Sequence, residues 1–315
     1  MKKKVLTILL VLVMGLTVMG ISAPRAKAAE DTDTIDFGYV QWPGVTVKTH
    51  VAMKVAEYLG YEAEMTSGAQ AVVFKGLDSG DLDAFLGNWM PTMKMHYDEY
   101  EEKGSVHNVR VNLHDVVYKT AVPKYVWDAG VKSLADLNEH AEKFDKTIYG
   151  IEPGNEGNLI IKNAIEDNVY NLGEWTLKAS STGGMLTTVK RAVNNKEWVA
   201  FNGWKPHYMN VMFDLKYLED PEGIWGEGER VFTVARTGFE DENPNFYKFL
   251  EQFKVPAPVQ NAWINSYKND GTDPEVVAEE WIANNLDVVN QWVFGVETAD
   301  GEMARKAIKR IVENQ

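Results

Sequence analysis

The chain alternates short β-prone runs with stretches of helical periodicity. Ile35-Asp36-Phe37-Gly38-Tyr39-Val40 alternates weakly and predicts a first strand. Trp42-Pro43-Gly44-Val45-Thr46 reads as a turn. From Thr46 to Leu59 the apolar positions Val47, Val51, Val55 and Leu59 recur every four residues, which predicts a helix with Thr46 as its N-cap and Gly60 as its stop. Glu62 to Met65 follows as a strand and Gly68 to Leu77 as a short helix ended by Asp78-Ser79-Gly80. Phe85-Leu86-Gly87-Asn88-Trp89 is the next strand, and Pro91 stops it, because proline has no amide to give to a ladder. This order predicts a parallel, doubly wound sheet.

The pattern then begins again. Met93 to Lys103 is a helix, and Val109–Asn112 and Val116–Val122 are strands. Pro123-Lys124-Tyr125 interrupts them, and Ser133-Leu134-Ala135-Asp136 has the form of a capping box. Ile148–Ile151 predicts a strand, Glu152 to Asn158 its Gly-containing loop, and Leu159 to Asn168 the helix after it. Thr187 to Asn194 is helical and Trp198 to Phe201 a strand. After Met212 the chain turns rich in Asp, Glu and Gly. Val231–Ala235 is a late strand, and the remainder is helical over 245–253, 256–268, 274–285 and 302–313. Two repeated units, with the chain returning at the end, predict two α/β lobes joined near residues 112–118 and 212–218.

Three segments share one design. Val40-Gln41-Trp42-Pro43, Phe85 to Pro91, and Phe201-Asn202-Gly203-Trp204-Lys205-Pro206 each bring a β-prone run to a Trp with a Pro within two residues. With Tyr118 on a fourth strand, the three indoles predict an aromatic box. Indole faces attract a weakly hydrated cation, and a desolvated contact of this kind is worth about 2 kcal/mol or more. A quaternary ammonium group carries no N–H, so a ring face suits it better than a carboxylate. Each Trp taken singly reads more readily as core, and it is the strand-end context shared by these three that favours the box.

Gly44 and Val45 open a helix, whose free amides make an anion site. A carboxylate tail fits there beside Trp42; an ordinary capped helix is the plainer reading. Gly154 and Asn155 open the helix of the second unit. Asn155 offers both a donor and an acceptor to a ligand, or serves only the turn. His207, three residues after Trp204, reads as a structural hydrogen-bonder beside the site. Trp175, Trp263, Trp281 and Trp292 fit packing patterns, and Trp127 and Trp225 fall in loops.

Composition narrows the function classes. The 315 residues carry a net charge of −14 and no Cys, which excludes thiol and disulfide chemistry. Lys2-Lys3-Lys4, the apolar run Val5 to Ile21 and Ala26-Lys27-Ala28 predict a signal peptide over residues 1–28, cleaved before Ala29. That segment holds five bases (Lys2, Lys3, Lys4, Arg25, Lys27) and no acids, so the mature chain stands five lower, at −19. Such a chain repels nucleic acid and anionic membrane surfaces but not a cation, and solubility is the plainer reading of its acidity. Phosphate-loop, zinc-protease and nucleophile-elbow motifs are missing. The sequence therefore predicts neither enzyme, metal nor cofactor.

Gly87-Asn88-Trp89-Met90-Pro91-Thr92, Ala121-Val122-Pro123-Lys124-Tyr125, Ile151 to Asn158 and Gly203-Trp204-Lys205-Pro206-His207 closely resemble the substrate-binding proteins of ABC importers for choline, glycine betaine and related compounds. The resemblance spans nearly the whole mature chain in order. It implies a periplasmic two-lobe clamshell of type II, with lobe 1 at 29–116 and 214–315, lobe 2 at 117–213, and the ligand in the cleft between them. It implies a box of Trp42, Trp89, Tyr118 and Trp204 with Asn155 as a polar contact, and, as partners, an ABC permease with its ATPase to a monomeric receptor. Choline-specific members carry an Asp two residues after the first Trp; here that residue is Gly44. This favours a carboxylated ligand, glycine betaine first. A choline or carnitine receptor is the alternative within the class. A periplasmic enzyme acting on methylated amines and a sensory module are alternatives outside it.

Overall fold

The computed structural model describes residues 34–314. The predicted signal peptide lies outside them. The chain builds two five-stranded sheets on one plan. The first opens with β1 (Thr34–Tyr39), α1 (Pro43–Tyr58), β2 (Glu62–Ser67), α2 (Gln70–Ser79), β3 (Ala84–Met90), α3 (Lys94–Glu102) and β4 (Val106–Leu113). The second holds β5 (Val117–Pro123), α4 (Lys124–Asp128), β6 (Thr147–Gly150), α5 (Glu156–Glu166), β7 (Thr176–Ala179), α6 (Thr182–Asn195), β8 (Ala200–Lys205), α7 (Met209–Met212) and β9 (Leu215–Tyr217). The chain then returns through β10 (Arg230–Arg236) to the first sheet. Six helices finish it: α8 (Phe239–Glu242), α9 (Pro244–Gln252), α10 (Ala257–Lys268), α11 (Pro274–Asn284), α12 (Leu286–Trp292) and α13 (Ala304–Glu313).

Strand order is β2-β1-β3-β10-β4 in one sheet and β7-β6-β8-β5-β9 in the other. In each, three strands run parallel, and the fourth (β10 or β5) enters antiparallel against the third. Both sheets are therefore mixed, where the pattern predicts a purely parallel one. The reason is connectivity: β5 and β10 follow passages between the sheets rather than crossover helices, so nothing forces them parallel. The repeat of strand, loop and helix is as the hydrophobic pattern predicts.

Local differences have local causes. Helix α1 starts at Pro43, with Trp42 as its N-cap, because proline is well placed in a first turn; Thr46 sits inside the helix, its hydroxyl donating to the Trp42 carbonyl. The predicted stop holds, with Gly60 in the left-handed region at φ 87°. Helix α5 starts at Glu156 rather than Leu159, since Asn155 Oδ1 caps the Gly157 amide. The Ser133–Asp136 capping box forms, on a 3-10 turn. Strand β7 and helix α12 have no counterpart in the sequence reading.

Two apolar clusters hold the chain. One runs through the second sheet and the faces of the first that meet it; the other packs α1, β1 and α9 to α13, with Phe37, Phe246, Phe249, Trp263 and Trp292 fully enclosed. Helix α1 also buries Lys48, whose Nζ donates to the Leu86 carbonyl at 3.2 Å and Asn112 Oδ1 at 2.6 Å. Desolvation lowers that amine to about 7. Among the described residues no helix is long and apolar enough to cross a membrane.

Candidate ligand cavity

Antiparallel pairing sets Tyr118 of β5 directly opposite Trp204 of β8, so their side chains leave the same face as neighbours. The rings meet edge to face at 5.6 Å. Trp89, next to last in β3, meets Tyr118 from the other sheet at 6.2 Å, again edge to face. Trp42, at the start of α1, completes the wall. With Asn155 these four rings line one small pocket. Gln70, Thr92, Met93 and Ile151 complete the lining. The four rings are 6–9% exposed, so most of each ring surface is withdrawn from bulk water.

Of the nine residues singled out in the sequence, Trp42, Trp89, Tyr118, Trp204 and Asn155 line this cavity; Gly44, Val45, Gly154 and His207 do not. Gly44 and Val45 lie one turn behind Trp42, in a first turn without a side-chain cap. A side chain at Gly44 would run into Gln260, whose Nε2 lies 2.5 Å from where a Cβ would stand. Gly154 holds the tight turn of the 152–155 loop at φ 84°. His207 packs at a tilt against Trp204, ring centres 4.5 Å apart, and its Nδ1 accepts the Met209 amide. Burial drives its pKa down to about 3, so it supports the indole as a neutral ring.

The loop 151–158 is shaped by Asn158, which bonds the Ile151 amide and carbonyl and the Glu152 carbonyl at 2.9–3.0 Å. It presents two side chains across the cleft. Glu152 Oε1 accepts the Trp42 indole N–H at 2.9 Å and fixes that ring. Glu156 Oε1 accepts the His96 amide at 2.9 Å and lies 3.1 Å from His96 Nδ1, while its own amide donates to Gln70 Oε1. The Glu156 hydrogen bond and charge raise the His96 pKa above its ordinary value. Asn155 Oδ1 accepts the Tyr118 hydroxyl at 3.1 Å besides capping α5. Burial, then the charges of Glu152 and Glu229, push the Tyr118 hydroxyl well up, so it stays protonated and donates.

Pattern reading missed Trp225. It is 2% exposed and packs on Tyr118 from outside the cavity at 5.1 Å. It lies among Gly and Glu in a connector without periodicity, so no sequence signal marks it. Thr92 stands in a quoted motif yet carries no separate signal, and Glu229 carries none at all. Among the described residues no group of three or more His, Cys, Asp or Glu side chains is placed to hold a metal ion.

Comparison with known proteins agrees with this architecture. Residues 33–284 match the family described as the substrate-binding domain of ABC-type glycine betaine transport systems. A choline-binding protein of an ABC transporter, solved with choline, superposes with a TM-score of 0.86 at 36% identity, covering 89% of this chain and 98% of that one. Lactococcal OpuAC, solved closed with glycine betaine, gives 0.76 at 30% identity over 82% of this chain and 99% of that one. The glycine betaine/carnitine transport binding protein GbuC of Listeria monocytogenes is 38% identical over 161 residues, 51% of this chain and 53% of that protein. The two mixed sheets match type II periplasmic binding proteins, and the chain belongs to the substrate-binding domain family of ABC-type glycine betaine transporters, which bind rather than transform their ligands.

Proposed function

We propose that this chain captures a quaternary ammonium solute, glycine betaine first, between a lobe of residues 29–116 with 214–315 and a lobe of residues 117–213, and delivers it to an ABC permease driven by its ATPase. The observation that carries this reading is the convergence of Trp42, Trp89, Tyr118 and Trp204 on one cavity. Four ring faces supply cation–π attraction of about 2 kcal/mol each where water is excluded, against the roughly 8 kcal/mol of a micromolar complex. Asn155, placed at the cavity by its capping role, gives the ligand a polar partner from the second lobe. Trp42, the N-cap of α1, lines the cavity, so the positive end of that helix dipole lies near it and supports a carboxylate tail there, although Gly44 and Val45 are not in the lining.

Choline is the second reading, and one observation favours it: the Glu152 carboxylate stands beside the cavity, holding the Trp42 indole N–H at 2.9 Å, which suits a net cation better than a zwitterion. Calorimetric titration of the mature chain with glycine betaine, carnitine and choline separates the two. Tighter binding of glycine betaine supports the helix-amide site for the tail. Tighter binding of choline overturns it and leaves the box. Binding of none refutes the box itself.

A further inference from the structure

The segment between β9 and β10 braces the cavity from behind at three successive points. Trp225 packs on Tyr118 at 5.1 Å. Gly226 passes so close to Pro91 that a Cβ there would lie 2.7 Å from the proline Cγ. Glu229 Oε2 accepts the Thr92 hydroxyl at 3.1 Å, and the carboxylate also takes a hydrogen bond from the Thr92 backbone. The register explains the placement: Arg230 pairs with Met90 and Val231 with Trp89, so Glu229 falls opposite the turn that carries Thr92. Glu229 Oε1 is buried without a protein partner. Thr92 lines the cavity; Glu229 stands behind it.

Resting on the binding function proposed above, we propose that Glu229 is a positioning residue for ligand selectivity: by taking the donors of Thr92 it leaves the hydroxyl oxygen of Thr92 as an acceptor at the cavity wall, so that this corner takes the methylated cationic head and turns away a carboxylate. The charge reinforces the effect, because the carbons of a quaternary ammonium group carry positive charge and no hydrogen-bonding N–H. When Glu229 is protonated, it donates to Thr92 instead, the hydroxyl proton is released toward the cavity, and the preference reverses. Desolvation raises the Glu229 pKa to about 7, which puts this exchange within reach of ordinary buffers. Tyr118 faces it from β5; Glu227 and Arg230 flank it on its own segment.

The test uses Glu229→Gln in the mature chain. Affinities for glycine betaine and choline are measured by calorimetry at pH about 5.5 and about 8.5, and the quantity read is the ratio of variant to wild-type Kd. A ratio cancels the titration of His96, which both proteins share. We expect the ratio for choline to be about tenfold at the higher pH and close to one at the lower, with a smaller change for glycine betaine. On a Thr92→Val background the Glu229→Gln effect shrinks, because the two residues act as one unit. A ratio that does not change with pH, or a full effect on the Thr92→Val background, overturns the inference while leaving the function intact. Failure of both ligands to bind the wild type sinks the function and the inference with it.

A purely structural role predicts a different outcome for stability. A raised folded-state value means that Glu229 favours the fold below the ordinary glutamate range and that this contribution is lost as pH rises through about 7. At the higher pH, Glu229→Gln therefore melts no lower than wild type while binding more weakly. A variant that melts lower and binds with a pH-independent defect is a structural lesion, and refutes the assignment.

Discussion

Glu156 offers the sharpest test of how the two halves of the cleft hold together. Its side chain is 2% exposed, and its Oε1 accepts the His96 amide of α3 and lies 3.1 Å from His96 Nδ1. The proposed capture requires the two sheets to part for ligand entry, and that motion would return the carboxylate to water and take His96 from its partner. Closure therefore takes up proton affinity at His96. Its pKa is raised in this structure, so its contribution is fully present below the ordinary histidine value of about 6.5 and is lost as pH rises through the raised value. A hydrogen bond to a charged group is worth about 1.5–3 kcal/mol. Glu156→Gln keeps an acceptor for the His96 amide and removes the charge, so the lower figure applies. At pH about 6 this amounts to a loss of about tenfold in ligand affinity, since affinity includes the free energy of closing. The assay is a titration followed by tryptophan fluorescence or calorimetry at pH about 6 and about 8.5. The variant's deficit should be about tenfold at the lower pH and much smaller at the higher. An equal deficit at both, or none at the lower, would refute the idea that the pair acts as a proton-dependent latch.

Two further outcomes follow from the same geometry. Trp204→Ala removes a cavity wall and the ring that packs edge to face on Tyr118, and should weaken binding about 30-fold by titration, with Trp204→Phe retaining part of it. Lys48 has a folded-state value of about 7, below the unfolded value, so the unfolded chain holds more protons between about 7 and 10.5 and wild type gains stability as pH rises across that window. Lys48→Met should lack this gain, and melting curves at pH about 7 and about 9.5 would show the variant's relative advantage shrinking; an unchanged difference would mean that the amine does not titrate there.

Much of the fold was legible because it is written in local periodicity. The four-residue spacing of Val47, Val51, Val55 and Leu59 made α1 visible, and Gly60 marked its end. The direction of β5 and β10 was not legible. Direction depends on where the chain passes from one sheet to the other, and no short window contains that. The helix starts were misplaced by three residues at both α1 and α5, since Pro43 and Asn155 act as start signals only once the neighbouring backbone is fixed.

The candidate site divides in the same way. Trp42, Trp89, Tyr118, Trp204 and Asn155 stood out because their local contexts, repeated along the chain, share one chemistry. Sequence by itself determined the residue types: flat polarizable rings, a turn-forming Asn, acidity without thiols or metal-ligand spacing. Which of these residues meet was decided by tertiary structure alone. Trp42 and Glu152 are 110 positions apart, and Thr92 and Glu229 are 137 apart. Their contacts depend on two sheets built to one plan and connected by two passages, which bring distant strand ends to one cleft. Burial changes the chemistry of Glu229 and Lys48, because the cost of a charge is set by the water around it rather than by the residues beside it in the chain, and His96 is raised by Glu156, which only the fold brings beside it.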